Sequence, residues 1–372
     1  MKKVLAQEVL GLVRSALGVA ADGAGCADGA PRQHGRPSAA ASEYVRREEL
    51  GFLFSPDCDW AADLAISQDE LFRRAIYQRV VDSTLLLVLD AAQEQGVPVA
   101  VLKGAVLQEC YPAGMMRTSA DIDLFVPPEY RQRFHALMEG LGANLACDVD
   151  ALQLGVSDYF FPNNVHFEVH FLICINMSAG QRVIAREEGL FSATSFTQVP
   201  FKGRAIPTLE PTLHLGYMLY HIAKHLMFWE QKTVRMLVDI SLFVRRYREE
   251  IDWQRLERFM ERIGHRRIAG AIFTLCAQEL GMPAVPWQAA PAADVEQLMK
   301  EIPTRLGAWQ SFRERHAWTV YKATLLQDDD GRMDSCTVFH PGIYVAFLPV
   351  SIAWSLRRKR WGLPTDYKRT RP

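Results

Sequence analysis

The chain has 372 residues, of which 49% are hydrophobic and 23% are charged, a composition typical of a globular protein with one large domain or two ordinary ones. Its net charge of −1 excludes a basic field over the whole surface that would recruit nucleic acid. No apolar run reaches the length of about 18 residues that a membrane-spanning helix needs. The seven scattered cysteines, with no C-x-x-C pair, favour reduced thiols in a cytoplasmic protein.

The N-terminal part of the chain is predicted to form a helix, a linker and a second helix. Polar residues interrupt the apolar run over 2–19, which favours an amphipathic helix over a secretion signal. Residues 20–44 are rich in Ala, Gly and Ser and are predicted to form a flexible linker. Apolar residues then recur at helical spacing over 68–95 as far as Gly96, which predicts a long helix.

A strand, a tight turn and a short helix are predicted next. The apolar run 97–102 ends at Lys103 and Gly104, and residues 105–110 have the pattern of a short helix. A glycine between a strand and a helix lets backbone N–H groups approach a phosphate closely, and Lys103 would add a positive charge there. The alternative is that Lys103 only extends its charged end into solvent from the end of a strand.

Two acidic residues, Asp121 and Asp123, lie two positions apart in the next apolar run. Side chains alternate across a strand, so both carboxylates face the same side, about 7 Å apart along the backbone. Like charges in such a place need a cation, and carboxylates suit Mg²⁺ or Mn²⁺. Arg117 and Ser119, just before the pair, are predicted to contact phosphates. The alternative for Arg117 is an ion pair with Asp121.

A third acid is predicted on a neighbouring strand. A helix begins at Pro127-Pro128 and runs to about residue 140, and strands over 143–147 and within 157–171 complete a small sheet. In the last strand Glu168 and His170 share the face opposite the apolar residues. Glu168 is therefore predicted as a third carboxylate. His170 would orient it or accept a proton, or else be a buried histidine with a local hydrogen bond. Three acids, metal ions and a phosphate-binding turn are the parts of phosphoryl or nucleotidyl transfer.

After Pro207 the pattern becomes helical. In the first helix His221 or Lys224 would reach the substrate, or the triphosphate of a nucleotide, across a cleft. The alternative, which the pattern favours, is a polar seam between helices and sheet. His221 and His225 have the spacing of a zinc-protease motif. That motif is excluded because Ile222 stands where it requires a glutamate. Arg235 and Asp239, four residues apart, are most simply an ion pair within a helix. The predicted helices are 211–228, 231–248, 252–263 and 266–280.

The C-terminal part shows no clear pattern except a basic end. Residues 356–372 carry seven Lys or Arg and one acid, a net charge of +6. The first interpretation of such a run is a solvated segment. The alternative is that it binds RNA, an acidic peptide or anionic lipid.

Several of these motifs together resemble the uncharacterised nucleotidyltransferase family, part of the nucleotidyltransferase superfold shared with polymerase beta. The resemblance covers about residues 70 to 280. One departure is Lys103-Gly104, where many members of the wider superfold have Gly-Ser. The motifs are Leu102-Lys103-Gly104, Tyr111-Pro112, Arg117, Asp121-Ile122-Asp123-Leu124, Glu168-Val169-His170 and the helical segment 235–240.

The resemblance implies an α/β protein with a small mixed sheet flanked by helices and followed by a helical lobe. The expected parts are an N-terminal helix and linker (1–44), a core (45–206), a lobe (207–282) and an extension with a basic tail (283–372). The expected activity is Mg²⁺- or Mn²⁺-dependent transfer of a nucleotidyl group from an NTP, such as ATP, to an acceptor that the sequence does not identify: a peptide, a tRNA or a small molecule. Phosphoryl transfer, toxin-type modification of tRNA or protein, and non-catalytic nucleotide binding are the alternatives.

Overall fold

A computed structural model gives the fold of this chain. It describes residues 2–18, 37–54, 64, 67–112, 115, 117, 119, 121–146, 155–172, 179–190, 192–228, 233–302 and 359–361. Most of the basic tail and five of the seven cysteines lie outside these residues, whereas Cys110 and Cys276 are free thiols. Among the described helices, none is long and apolar enough to span a membrane.

The described strands form one mixed sheet, in the order β3-β4-β5-β2-β1-β7-β6. The pairs β2–β5 and β1–β7 are parallel and the other neighbours are antiparallel. The central strand β2 and its neighbour β1 are buried throughout because both of their faces are covered. The strands are β1 (Ala100–Leu102), β2 (Ile122–Phe125), β3 (Asn144–Ala146), β4 (Val156–Phe160), β5 (His166–His170), β6 (Phe196–Phe201) and β7 (Arg204–Leu209).

Helices surround the sheet, which confirms the predicted α/β class. The helical lobe, α7 to α10, follows the sheet as expected, and α7 packs against β7 while α4 packs between the central strands and α8. The helices are α1 (Lys2–Ala16), α2 (Ala39–Arg47), α3 (Gln68–Glu94), α4 (Gly104–Gln108), α5 (Arg131–Gly140), α6 (Ala179–Glu187), α7 (Pro211–Phe228), α8 (Thr233–Tyr247), α9 (Trp253–Arg262), α10 (Arg266–Leu280) and α11 (Ala292–Glu301).

The predicted linker over 20–44 is wrong at its C-terminal end, where α2 begins. Ser38 caps this helix by accepting a hydrogen bond from the N–H of Ala41. Tyr44 is buried, and its hydroxyl donates to the carbonyl of Ile302 at 3.3 Å. The alanines that suggested a linker are good helix formers, and burial of one helix face stabilises them in that state.

The hairpin of β6 and β7 was not predicted from the sequence. Pro200 and Pro207 lie inside its strands, and proline usually argues against a strand because it lacks an N–H donor. Pro200 is tolerated because β6 is an edge strand of the sheet. The hairpin matters for the site because Thr208 of β7 lies beside Val101 of β1.

The basic run near the C-terminus is attached to the helical part of the molecule at Trp361. This side chain is buried, and its indole N–H donates to Glu301 at 3.2 Å. The guanidinium of Arg267 lies 5.7 Å from the centre of the indole ring, and it donates to the carbonyl of Arg360 at 2.7 Å. Lys359 and Arg360 themselves remain exposed.

Candidate active site

One row of residues across four neighbouring strands brings three carboxylates together. Leu102 of β1 lies opposite Asp123 of β2, which lies opposite Glu168 of β5, which lies opposite Asp158 of β4. Opposed residues of neighbouring strands present their side chains on the same face of a sheet. The sequence predicted Asp123 and Glu168 on one face, whereas Asp158 was missed.

Asp123, Glu168 and His170 form the group of described residues that could hold a metal ion, with their ligand atoms within 4.8 Å of one another. Nε2 of His170 lies 3.4 Å from Oδ1 of Asp123 and 3.2 Å from Oε1 of Glu168. Both contacts are long for charge-assisted hydrogen bonds. Two carboxylate oxygens and a ring nitrogen that converge without a short contact between them fit a divalent cation.

Asp121, the other predicted metal ligand, lies just before β2 and is half-buried. Its Oδ1 accepts a hydrogen bond from the hydroxyl of Ser119 at 3.3 Å. A Cβ atom on Gly104, whose φ is +20°, would lie 3.9 Å from that same hydroxyl oxygen. The structure thus brings Ser119, Asp121 and the Lys103-Gly104 turn together. A part for Asp121 in metal binding stays a prediction.

Lys103 projects into the carboxylate group from the end of β1. Its Nζ lies 2.8 Å from Oδ1 of Asp123 and 3.4 Å from Nε2 of His221. Burial alone would lower the pKa of Lys103, but the negative charges around it, Asp123 first among them, together outweigh burial and raise this pKa well above its ordinary value. For Asp123, burial alone would raise the pKa, but Lys103 and His170 outweigh it and lower this pKa well below its ordinary value. Both groups are therefore charged near neutral pH.

His214 holds the backbone of the Lys103 turn. The φ of Lys103 is +50°, a strained value for a residue with a side chain. The N–H of Lys103 donates to Nε2 of His214 at 3.3 Å, and Nδ1 of His214 lies 3.2 Å from Oγ1 of Thr208. The hydroxyl of Thr208 donates to the carbonyl of Val101 at 2.6 Å. This chain of hydrogen bonds requires a neutral imidazole with its proton on Nδ1. This role of His214 could not be predicted from the sequence.

His221 lies where helix α7 meets the core, as the seam interpretation expected, and it also contacts Lys103. Its Nε2 is 2.9 Å from Nε2 of His225, one turn further along the helix. Burial, followed by the charge of Lys103, lowers the pKa of His221 well below its ordinary value. Lys224 is half-buried on the same helix. Contact of His221 and Lys224 with a triphosphate stays a prediction.

Arg117 is bound to Asp239 of α8 rather than to Asp121. Its Nε and Nη2 donate to the two carboxylate oxygens of Asp239 at 2.8 and 2.9 Å. The hydroxyl of Tyr111 donates to the same carboxylate at 2.7 Å. The intrahelical ion pair of Arg235 and Asp239 was therefore a wrong interpretation, since Arg235 pairs with Glu49 at 3.5 Å. A buried carboxylate is better satisfied by the fork of Arg117 than by a neighbour on its own helix. The phosphate contact of Arg117 stays a prediction.

The face beyond Glu168 ends in a polar and aromatic group on β4 and β5. Nε2 of His166 lies 2.8 Å from Oδ1 of Asp158, and this contact raises the pKa of His166. Phe160 stacks on the imidazole of His166, with ring centres 4.5 Å apart, and remains 42% exposed. This group borders the site on the side away from Lys103.

Comparison with known proteins gives one family match. The model of a family described as "Uncharacterised nucleotidyltransferase" matches residues 66–281, which is more than half of the chain. No curated protein matches the sequence.

Solved structures similar to this chain include two that are distant in sequence. The antibiotic-resistance factor ANT(2'')-Ia is 16% identical, with a TM-score of 0.35, and the alignment covers 52% of this chain and 95% of that one. An antigenic nucleotidyltransferase-like protein from Paracoccidioides brasiliensis is 12% identical, with a TM-score of 0.34, over 57% of this chain and 95% of its own.

Proposed function

Because this chain belongs to the uncharacterised nucleotidyltransferase family, we propose that it moves a nucleoside monophosphate group from an NTP, such as ATP, to an acceptor hydroxyl or phosphate with the help of Mg²⁺ or Mn²⁺. The observation that supports this proposal is the group of Asp123, Glu168 and His170, with the ammonium of Lys103 beside it. Carboxylates that hold a divalent cation, with an ammonium group beside them, suit the negative charge of a reacting triphosphate.

The residues that would hold the metal are Asp123, Glu168 and His170, with Asp121 as a further carboxylate. A divalent cation bound there would neutralise the phosphate charge that builds up during transfer. Asp123 is the best-placed ligand, because it is 3% exposed and its position is set by hydrogen bonding of β2 to strands on both sides.

The triphosphate would lie along the Lys103-Gly104 turn. Lys103 would place its charge on phosphate oxygens, and Ser119 would donate a hydrogen bond to another. His221 and Lys224 would approach from α7, while Arg117 would contact a phosphate oxygen through Nη1, the nitrogen that its bond to Asp239 does not use. Fixed groups of this kind lower the barrier mainly by positioning the reacting atoms.

The acceptor would enter on the side of Glu168. In the transfer, the acceptor oxygen bonds to the α-phosphorus, the bond from that phosphorus to the oxygen bridging to the β-phosphate breaks, and pyrophosphate leaves. Glu168 would help to remove the acceptor proton. A peptide, a tRNA and a small molecule all remain candidate acceptors, and the basic run 356–372 would serve to hold an acidic one.

Calorimetric titration of each NTP in the presence of Mg²⁺ tests the proposal. We expect the wild type to bind at least one NTP, and the double variant Asp121→Asn/Asp123→Asn to lose that binding because the metal ligands are gone. Asp90→Asn is a matched control, since Asp90 pairs with Arg204 on the exposed surface and its loss should leave binding unchanged.

Folded wild-type protein that binds no NTP would contradict the proposal. If an NTP binds, incubation with candidate acceptors followed by mass spectrometry determines the reaction class. A mass increase of a nucleoside monophosphate supports nucleotidyl transfer, whereas an increase of a single phosphate would replace it with phosphoryl transfer.

A further inference from the structure

Lys103 supplies a positive charge at the place where the metal would bind. We propose that its ammonium group competes with the divalent cation for Asp123, so that the free enzyme binds metal weakly and metal and NTP load together. This inference rests on the proposed function and concerns the order in which its two ligands bind.

The competition follows from the atom that Lys103 contacts. Nζ of Lys103 lies 2.8 Å from Oδ1 of Asp123, the same oxygen that faces Nε2 of His170 at 3.4 Å. A metal ion held between Asp123 and His170 would share this oxygen with the ammonium group. Two cations on one carboxylate oxygen repel each other, and burial strengthens the repulsion because little water screens it.

Lys103 is also held in place, so it does not simply move aside. The side chain is only 17% exposed, and Nε2 of His221 lies 3.4 Å from Nζ. Its backbone is fixed by the hydrogen bond to His214. An ammonium group removed from Asp123 needs another anion nearby, since an unpaired buried charge is costly. A triphosphate laid along the Lys103-Gly104 turn would provide one.

The test is a titration with Mn²⁺ alone, in which electron paramagnetic resonance measures the free ion. We expect Lys103→Met to bind Mn²⁺ about tenfold more tightly than the wild type, because the competing charge is gone. With a non-hydrolysable ATP analogue present, wild-type affinity for Mn²⁺ should rise by more than that of Lys103→Met, since the nucleotide then draws the lysine away.

Two further variants keep the test decisive. Lys103→Arg retains the charge and should retain weak Mn²⁺ binding. Lys300→Met removes a lysine that pairs with Glu296 at 3.2 Å on the exposed surface of α11, and it should not change Mn²⁺ affinity. Circular dichroism identifies any variant that fails to fold. Lys103→Gln, which is also uncharged, replaces Lys103→Met in that case.

Equal Mn²⁺ affinity in the wild type and the uncharged variants overturns the proposal. Asp123→Asn then separates the two possible failures. If Asp123→Asn loses the Mn²⁺ that the wild type binds, the metal site stands and only the competition is wrong. If no variant binds Mn²⁺, with or without the ATP analogue, the proposed function fails as well.

Discussion

His214 is a single residue on which the geometry of the Lys103 turn depends. Its Nε2 must accept the N–H of Lys103, so the ring must be neutral. Burial, followed by the charge of Lys103, lowers the pKa of His214 to about 3. The turn therefore keeps its hydrogen bond over the whole neutral range of pH.

Because of this histidine, the free energy of unfolding should decrease as the pH is lowered. An unfolded histidine takes up a proton below about pH 6.5, whereas the folded ring stays neutral until about pH 3. The contribution is thus fully present above pH 6.5 and is lost as the pH falls towards 3. We expect His214→Gln to reduce the slope of unfolding free energy against pH by up to about 1.4 kcal/mol per pH unit below pH 6. Urea unfolding at several pH values measures this slope.

His135 provides the control for that measurement. It is a histidine of α5 whose side chain is 37% exposed, so His135→Gln makes the same substitution outside the buried site. If His214→Gln has the same slope as the wild type, the buried ring is not neutral as the hydrogen bonds require.

Single-residue chemistry was the part of the site best predicted from the sequence. The alternation of polar and apolar residues predicted Asp123 and Glu168 on one face of the sheet. In the structure these two residues lie opposite each other on the neighbouring strands β2 and β5. The partners of Arg117 and His214 could not be predicted, because Asp239 and Thr208 reach them only after helices and strands have packed. Spacing along the chain gives no information on such contacts.

At the scale of elements, the hairpin of β4 and β5 sets which acids lie side by side. The loop between the strands closes with a hydrogen bond from the N–H of Phe161 to the carbonyl of Val165 at 2.9 Å. This loop fixes the register that places Asp158 opposite Glu168. The sequence predicted the hairpin, but its register depends on loop conformation, so Asp158 was missed.

Gly155 at the open end of this hairpin should not tolerate a side chain. Its φ is +74°, and a Cβ atom would lie 2.8 Å from Cβ of Leu172, which cannot move aside without the backbone. We expect Gly155→Ala to destabilise the protein by about 1–2 kcal/mol for the backbone conformation and by a further 1–3 kcal/mol or so for the overlap. Denaturant unfolding gives the total.

Gly203→Ala separates the two contributions. Gly203 has a similar φ of +78°, but a Cβ atom there would have no heavy atom within 4 Å. Its variant should therefore show only the backbone cost. Equal losses for Gly155→Ala and Gly203→Ala would mean that Leu172 does not restrict the hairpin.

At the scale of the whole molecule, the bond between Arg117 and Asp239 joins the core to the helical lobe. Both residues are buried, at 5% and 4% exposed. Asp239→Asn should destabilise the protein by about 3–5 kcal/mol, because it leaves the charge of Arg117 buried without its partner. Asp90→Asn breaks an exposed pair with Arg204 and should change stability little, because water screens an exposed ion pair. Thermal and urea unfolding compare the two variants, and similar losses would contradict a structural role for the buried pair.

The overall architecture was largely predictable because its helices carry strong apolar periodicity. The first helix of the lobe has the predicted bounds, and α3 differs from the prediction by one residue. The hairpin of β6 and β7 was missed because each of its strands contains a proline, and proline argues against a strand in the sequence. Helix α2 was missed because burial of one of its faces stabilises it, and this face includes Tyr44, whose hydroxyl donates to the distant Ile302.

The joint between β7 and α7 has a mechanical consequence. Only Glu210 separates the strand from the helix, and Thr208 and His214, on either side of it, are joined to each other and to the Lys103 turn. Bending at this joint would break the contacts that hold the lysine. Any opening that admits substrate must therefore carry α7 along with the sheet as one rigid piece, and the hinge must lie elsewhere in the chain.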